Sequence, residues 1–372
     1  MADMANMVRR IALFISGLIV LAVISGYLWE RASARNDRAE HPAPGRFFDV
    51  DGLAMHIDCR GTGEPAVLME AGLMSGSASW LRVHDTLAGH TRTCAYDRAG
   101  MDWSEFGDYD ASVDAVVSRL SALLRLADEP GPWVLVGMSA GGVYVREFRA
   151  RHPENVVGMV LVDSSHEGQS YRLPSSGGLD RLEQMLKLCQ ILQPVGLVRL
   201  TASLDDLMGW YQLPAQQLAK FNANYYQTHS CRAIARESAA FTADLARNIT
   251  PRSLGDLTLI VLSQGNEPKG DPATGQTEDQ ARSQRDVWDE LQLELVALSS
   301  EGERRIATRS GHIIQFEQPE LVIQGVIDMV ERIRGQTVTT ESVEEVPKGR
   351  QRGAKEVVGT TGFEPVTSTM SR

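Results

Sequence analysis

One ten-residue stretch constrains the fold of this chain more than any other. An apolar run from Trp133 to Met138 leads into the pattern Gly137-Met-Ser-Ala-Gly141, and a helix-like segment follows at once. A strand that turns into a helix over this pattern holds its serine in a strained backbone conformation and projects the hydroxyl from the end of a sheet. The glycines let the helix pass close to the strand. The stretch therefore predicts a strand, a sharp turn at Ser139 and a helix.

Strand and helix patterns alternate on both sides of this turn. Asp51-Gly52 joins two short runs into a predicted hairpin, and the other predicted strands lie at 66–69, 91–96, 133–138, 156–162, 257–263 and 304–308. The run 156–162 is almost wholly apolar, which is typical of a strand covered on both faces. This alternation predicts an α/β fold with a mostly parallel central sheet and helices on both faces.

The alternation stops between residues 164 and 250, where only helical patterns occur. We interpret this segment as a helical cap inserted between the two parts of the core, 41–163 and 251–335. Residues 336–372 are polar and lack periodicity, so they are predicted to form a disordered tail.

The N-terminus carries an uncharged apolar run at residues 11–29, preceded by Arg9 and Arg10. Its length approaches that of a helix that crosses a bilayer, and Tyr27 and Trp29 stand where an interfacial belt would lie. Ala32-Ser-Ala34 also fits a signal-peptide cleavage site, although the run exceeds a usual signal core. Residues 1–40 are predicted to be a single-pass membrane anchor and the start of a polar linker at 35–45. Secretion after cleavage is the alternative.

Charge and cysteine spacing argue against two classes of function. The net charge is −11 and no basic cluster is interleaved with aromatic residues, so a nucleic-acid surface is not expected. None of the four cysteines lies in a C-x-x-C pattern. No metal or organic cofactor is expected.

A serine hydroxyl becomes a good nucleophile only when a base takes its proton. His312, in Ser310-Gly-His312 after the last predicted strand, is the candidate base, since its loop ends at the same sheet edge as Ser139. Two carboxylates are placed to orient its ring. Asp163 follows the sixth predicted strand and Glu267 follows the seventh. We favour Asp163 and keep Glu267 as the alternative acid.

Acyl transfer also needs donors for the oxyanion that develops on the carbonyl oxygen. The backbone N–H of Ala140, directly after the serine, is the first candidate. The second is the N–H of Leu73, in the glycine-containing loop after the third strand.

These motifs together resemble the α/β-hydrolase superfamily over residues 46–333, outside the cap. The resemblance rests on Glu70-Ala-Gly72, Tyr96-Asp-Arg-Ala-Gly100, Gly137-Met-Ser-Ala-Gly-Gly142, Leu161-Val-Asp163 and Ser310-Gly-His312. The chain departs from the family pattern at Ala71, where many members have histidine, and at Asp102, where many have glycine. Aspartate tolerates left-handed backbone, so the turn at Asp102 is expected to survive.

The resemblance also implies how the cysteines pair. The usual sheet order of the superfamily places the second strand beside the fourth, which would put Cys59 next to Cys94. Cys189 and Cys231 both fall in the cap and form the second expected pair. Such disulfides would place the domain in an oxidising, extracytoplasmic compartment. Four buried free thiols are the alternative.

The predicted function is that of a serine hydrolase that cleaves an ester of a small or lipid-like molecule through an acyl-enzyme on Ser139. Aromatic residues of the cap are candidate walls of the substrate pocket: Trp210, Tyr211, Tyr225 and Tyr226. A thioesterase, an amidase or a cofactor-free perhydrolase would use the same groups. A non-catalytic binding protein that keeps the fold is the rival from another class.

Overall fold

The computed structural model describes residues 2–173, 178–201, 215–247, 251–270 and 276–344. The described residues contain an eight-stranded sheet in the order β1-β2-β4-β3-β5-β6-β7-β8. Strand β2 runs antiparallel to both of its neighbours, and all the other pairs are parallel. The strands are Arg46–Val50 (β1), Leu53–Arg60 (β2), Ala66–Glu70 (β3), Thr93–Tyr96 (β4), Trp133–Met138 (β5), Val156–Val162 (β6), Thr258–Gln264 (β7) and Gly302–Ala307 (β8).

The described helices of the core are Leu81–Leu87 (α2), Val113–Ala127 (α3), Ala140–Arg151 (α4), Glu278–Val296 (α10), Ile314–Glu317 (α11) and Pro319–Glu344 (α12). A long N-terminal helix, Ala2–Glu40 (α1), precedes them. The cap contributes Gln169–Arg172 (α5), Gly178–Leu192 (α6), Leu197–Leu200 (α7), Ala215–Tyr225 (α8) and Ser230–Leu245 (α9), with a short turn of 3₁₀ helix at Gln193–Val195.

Successive residues of the strands lie alternately in two apolar layers, one on each face of the sheet. Leu135 of β5 packs with Leu120 of α3 and Tyr144 of α4 on one face of the sheet. Val136 of the same strand packs with Val83 of α2 and Met329 of α12 on the other. The sheet is therefore covered on both faces, which confirms the predicted α/β architecture and explains why its central strands are apolar throughout.

The strands lie close to the positions that the sequence predicts, whereas the predicted linker at 35–45 and the predicted tail from residue 336 differ from the structure. Helix α1 continues to Glu40, so most of the predicted linker at 35–45 is helical. Ala34 is buried against the rest of the molecule, and this packing favours helix where polarity alone suggested a linker. Helix α12 runs to Glu344, so residues 336–344 are helical rather than disordered. No proline or glycine occurs between 336 and 344 to end that helix.

Residues up to Arg334 form one compact unit, and the described part of the second unit, 335–344, is the end of α12. Within the described chain, α1 alone is long and apolar enough to cross a membrane. Its large apolar side chains between Ile11 and Leu28 are exposed.

Two disulfides link the elements in the pairs that the resemblance implied. Cys59 and Cys94 are directly opposite each other on β2 and β4, with Cα atoms 4.1 Å apart. Cys189 and Cys231 join α6 to α9 across 5.8 Å between Cα atoms. The first bridge ties the antiparallel hairpin to the parallel sheet, and the second ties two cap helices together.

His229 makes stability sensitive to acid where the cap meets α1. The ring stacks on Phe106, with centroids 5.4 Å apart. Burial, aided by the charges of Arg38 and Arg232, lowers the pKa of His229 to about 4. Between about pH 6.5 and 4 the unfolded chain therefore binds a proton here that the folded chain does not, and stability falls as the pH drops through this window.

We expect the His229→Gln variant to lose less stability than the wild type when the pH is lowered from 6.5 to 4, by up to about 3 kcal/mol. Urea unfolding at several pH values measures the difference. His90→Gln, at an exposed position, is the matched control for loss of a histidine. Equal pH dependence in both variants and the wild type would contradict the expectation.

Candidate active site

Ser139 lies at the sharp turn between β5 and α4, where the sequence pattern predicted it. Its backbone angles, φ 51° and ψ −122°, are strained for a residue with a side chain. A Cβ atom on Gly137 would lie 2.7 Å from the carbonyl oxygen of Gly141, and one on Gly141 would lie 2.5 Å from that of Glu70. Only glycine at these two positions lets α4 start directly against the strands, so the turn holds the Ser139 hydroxyl at the carboxyl edge of the sheet.

The loop after β8 brings the His312 ring to Ser139 from 173 residues along the chain. The Nε2 atom of His312 lies 3.0 Å from the Oγ atom of Ser139. Its Nδ1 atom lies 2.7 Å from the Oδ2 atom of Asp163. The His312 side chain is 39% exposed, whereas the Asp163 side chain is fully buried. The ring therefore connects a buried carboxylate to a hydroxyl that a ligand can reach.

Asp163 is held by donors from two further elements. Its Oδ1 atom accepts the backbone N–H of Gln264 and the indole N–H of Trp288, each at 3.0 Å. The Oδ2 atom is left for His312. The alternative acid, Glu267, lies exposed in the loop after β7, and Asp163 makes the contact with the ring instead.

Trp288 is a site residue that the sequence did not single out. Its signal in the sequence is the amphipathic pattern of residues 284–298, which places Trp288 on the apolar face. In the structure its indole ring stands edge-on to the His312 ring, with centroids 5.7 Å apart. It thus contacts both Asp163 and His312, and it restrains the carboxylate and the imidazole together.

The loop from Glu70 to Gly76, which carries Leu73, lies against the serine turn. A Cβ atom on Gly72 would lie 3.2 Å from the Cβ of Ser139 and 2.6 Å from the Sδ of Met138. Leu73 directly follows Gly72 in this loop, and Ala140 directly follows Ser139 as the first residue of α4. Both predicted oxyanion donors therefore belong to the segments that meet at the serine turn.

Arg98 holds this loop in place, a role that the sequence did not reveal. Its guanidinium donates to the backbone carbonyls of Ala71, Gly72 and Ser75 at 2.7–2.9 Å. It also pairs with the carboxylates of Glu70, at 2.6 Å, and of Glu237 in α9. Burial raises the pKa of Glu70 to about 7, against the Arg98 charge and the Tyr96 hydroxyl that favour the carboxylate. The signal in the sequence was the charged pair Asp97-Arg98 amid the otherwise mostly apolar residues 94–101.

Glu237 extends this network to the cap. Its Oε2 atom accepts the backbone N–H of Met74, at 3.0 Å. One buried arginine with its two carboxylates therefore connects the loop beside Ser139 to helix α9 of the cap.

Replacing Arg98 with methionine should cost about 3–5 kcal/mol of unfolding free energy, because two buried carboxylates would lose their cation. Arg282→Met, which removes an ion pair with exposed Asp279, should leave the unfolding free energy close to that of the wild type. Chemical denaturation measures both variants. If Arg98→Met lowered the unfolding free energy no more than Arg282→Met does, the buried network would contribute little to stability.

Asp102 adopts the left-handed conformation expected for it, with φ 37°. Its Oδ2 atom accepts the backbone N–H of Ala78, at 2.9 Å. Burial, together with the nearby charge of Asp97, raises the pKa of Asp102 to about 7. The departure from the family pattern at this position therefore keeps the turn and adds a hydrogen bond to the segment that follows the Glu70–Gly76 loop.

The predicted aromatic walls of the pocket divide into two groups. Tyr225 and Tyr226 are buried in the cap. Tyr225 stacks on Phe221, with ring centroids 4.4 Å apart, and its hydroxyl bonds the carbonyl of Met74. These two tyrosines belong to the core of the cap. Trp210 and Tyr211 lie outside the described residues.

Three known proteins show what this chain is similar to. An uncharacterized protein of Schizosaccharomyces pombe is 29% identical over 314 residues, which cover 73% of this chain and 56% of that protein. The chain thus spans little more than half of that relative. An uncharacterized vacuolar membrane protein of Saccharomyces cerevisiae is 35% identical over 108 residues, 28% of this chain and 17% of the relative. A solved structure of a putative lipase from Acinetobacter baumannii superposes with a TM-score of 0.57 at 18% identity, over 82% of this chain and 97% of the other.

At that identity the structural likeness concerns the fold. The sequence profile described as "Alpha/beta hydrolase family" matches residues 67–324, more than half of the chain, and its matched range includes Ser139, Asp163 and His312. The chain therefore belongs to the alpha/beta hydrolase family.

Proposed function

We propose that this protein is a serine hydrolase that cleaves the ester bond of a small or lipid-like molecule. One observation carries the proposal, namely the hydrogen-bonded series Ser139–His312–Asp163 at a strained turn. A nucleophile, a base and an orienting acid in hydrogen-bond reach are what acyl transfer by serine requires. The putative lipase from Acinetobacter baumannii has the same fold.

The reaction starts when the Oγ atom of Ser139 attacks the ester carbonyl carbon and gives its proton to Nε2 of His312. Asp163 keeps the Nδ1–H of the ring in place and stabilises the imidazolium that forms. The N–H groups of Leu73 and Ala140 bind the oxyanion. The intermediate collapses, the C–O bond of the alcohol breaks, and His312 protonates the leaving oxygen.

The second half of the reaction releases the acid. A water molecule gives a proton to His312 and attacks the acyl carbon bound to Ser139. Collapse of this second intermediate breaks the bond to Oγ, which recovers its proton from His312. His312 takes part in every proton transfer of the cycle.

Covalent labelling separates an enzyme from a binding protein. The full chain in detergent micelles is treated with a fluorophosphonate, digested and examined by mass spectrometry. We expect one adduct, on Ser139, together with hydrolysis of p-nitrophenyl esters of graded chain length. Native protein that takes no label and hydrolyses no ester would favour a non-catalytic binding role.

The same assay tests the bond that is cleaved. An ester, a thioester and an anilide with one acyl chain are compared, and we expect the highest kcat/KM for the ester. A higher value for the thioester or the anilide would instead support a thioesterase or an amidase. Release of peracid in the presence of peroxide would support a perhydrolase.

We further propose that α1 anchors the protein in a membrane as a single span, with the hydrolase domain outside the cytoplasm. Exposed apolar side chains over residues 11–29 support the anchor, and two disulfides support an oxidising compartment. We expect the chain to stay in the membrane through alkaline carbonate extraction with residues 1–34 present. A soluble chain that begins after Ala34 would show cleavage and secretion.

A further inference from the structure

The end of α1 packs against the cap through one face of the helix. The residues that face inward, Gly26, Glu30, Ala34 and Asp37, recur at helical spacing. A Cβ atom on Gly26 would lie 2.3 Å from the carbonyl oxygen of Val195, so the two backbones are in direct contact there. The fully buried Glu30 pairs with Arg199 of α7, at 2.9 Å. The helix therefore leaves the proposed span without a break and continues along the cap.

The same part of the cap exposes an unusual number of large apolar side chains. Outside α1, ten such side chains are exposed among the described residues, and five of them lie between residues 185 and 200. We name these five the cap apolar face: Met185, Leu188, Ile191, Leu197 and Leu200. Scattered single residues of this kind are common on soluble proteins, but a cluster indicates a partner.

The position of this face relative to the membrane follows from the contacts with α1. Residues 11–29 span about 28 Å as a helix, close to the thickness of the hydrocarbon core. Gly26 and Trp29 then lie at the boundary between hydrocarbon and headgroups. Val195 contacts Gly26, and Gly196 contacts Trp29. Val195 and Gly196 lie between Ile191 and Leu197 in the chain. The contact thus places Ile191 and Leu197, the two residues of the cap apolar face that flank it in the chain, near the same boundary.

Charged groups on α1 fit this placement. Arg31 and Arg35, about half a turn and nearly two turns beyond Trp29, are exposed. Arg31 also donates to the hydroxyl of Tyr27, at 2.6 Å. Long cationic side chains near the end of a span reach the headgroup region of either leaflet.

We propose that the cap apolar face inserts shallowly into the bilayer beside α1, so that the lipid surface is its partner. The proposal rests on the proposed anchor. Because the cap is inserted between β6 and β7, above the strand ends that carry Ser139, its contact with lipid places the candidate active site next to the membrane surface. This arrangement favours ester substrates that reside in the bilayer.

Fluorescence quenching by lipid tests the insertion. All four native cysteines are bridged, so a single introduced cysteine can be labelled with bimane in the full chain reconstituted in phosphatidylcholine vesicles. Ile191→Cys and Leu197→Cys report on the cap apolar face. Leu126→Cys is the matched control, since the Leu126 side chain is 47% exposed. It lies at the end of α3, just before β5 starts, and so at the edge of the sheet opposite to the edge that carries Ser139.

We expect lipids brominated in the upper acyl chain to reduce the emission at 191 and 197 roughly twofold, and that at 126 hardly at all. Carbonate extraction tests the anchor separately, by showing whether the protein stays in the vesicles. Retained protein with equal quenching at the three positions would overturn the insertion and leave the anchor standing. Protein lost from the vesicles would overturn both.

Another partner gives a different result. If the label at 191 and 197 senses an apolar surrounding but is not quenched by brominated lipid, a protein covers the face, and the proposal is wrong. Ester hydrolysis by each labelled variant, equal to that of the wild type, shows that the variants are folded.

Discussion

Replacing Ser139 with alanine is expected to lower kcat for ester hydrolysis by on the order of 10⁴- to 10⁶-fold, because the acyl-enzyme can no longer form. Binding should change little, since Oγ is a small part of the surface that a substrate contacts. Initial rates with a p-nitrophenyl ester and the loss of fluorophosphonate labelling measure the effect. Thermal unfolding close to that of the wild type would show that the loss is chemical.

The chain offers a matched control in a second serine–histidine contact. The Oγ atom of Ser121 lies 2.8 Å from Nε2 of His152, as close as the pair in the candidate site. Ser121 lies within helix α3, without the strained turn. We expect Ser121→Ala to keep full activity and labelling. Equal losses in both variants would mean that the activity does not depend on the turn at Ser139.

Replacing Asp163 with asparagine is the second large effect, with an expected fall in kcat on the order of 10³- to 10⁴-fold. The reason lies in the donors around the carboxylate. Oδ1 already accepts two N–H groups, from Gln264 and Trp288. The amide nitrogen of asparagine must therefore turn toward His312. The ring would then carry its proton on Nε2 and could not accept the proton of Ser139.

Glu267→Gln is the control that decides between the two acids. Glu267 lies exposed in its loop. The activity of the Glu267→Gln variant should therefore stay within about twofold of that of the wild type. The pH–rate profile of Asp163→Asn, compared at equal substrate saturation, separates a change of protonation from a loss of binding. Full activity in Asp163→Asn combined with a large loss in Glu267→Gln would reverse the assignment.

Local patterns in the sequence were enough for the strands, the serine turn and the helix after it. Strands 133–138 and 156–162 have the bounds that their apolar runs predict. Asp51-Gly52 forms its hairpin turn with positive φ at both residues. Such features are encoded by neighbours in the chain, through backbone sterics and the side-chain period, so no knowledge of distant residues is needed.

Roles that depend on distant contacts were harder to predict. Two carboxylates followed neighbouring strands, and the sequence could not rank them by geometry. Arg98 stood in a motif that marked the family, yet its bonds to loop carbonyls 23 to 27 residues earlier depend on how β3 and β4 align. Residues 35–45 were predicted to form a linker because they are polar, whereas helix α1 packs against the cap and continues to Glu40.

The sequence by itself determined that this chain forms a mostly parallel α/β sheet with a strained serine after its fifth strand, an apolar N-terminal segment and an inserted helical region. Tertiary structure alone decided that Asp163 meets His312, that Arg98 and Glu237 tie the Glu70–Gly76 loop to the cap, and that the end of α1 packs against the cap. The reason is physical. Periodicity fixes which face of an element is buried, but the packing of whole elements fixes which charged and polar groups meet across 100 or more residues of chain.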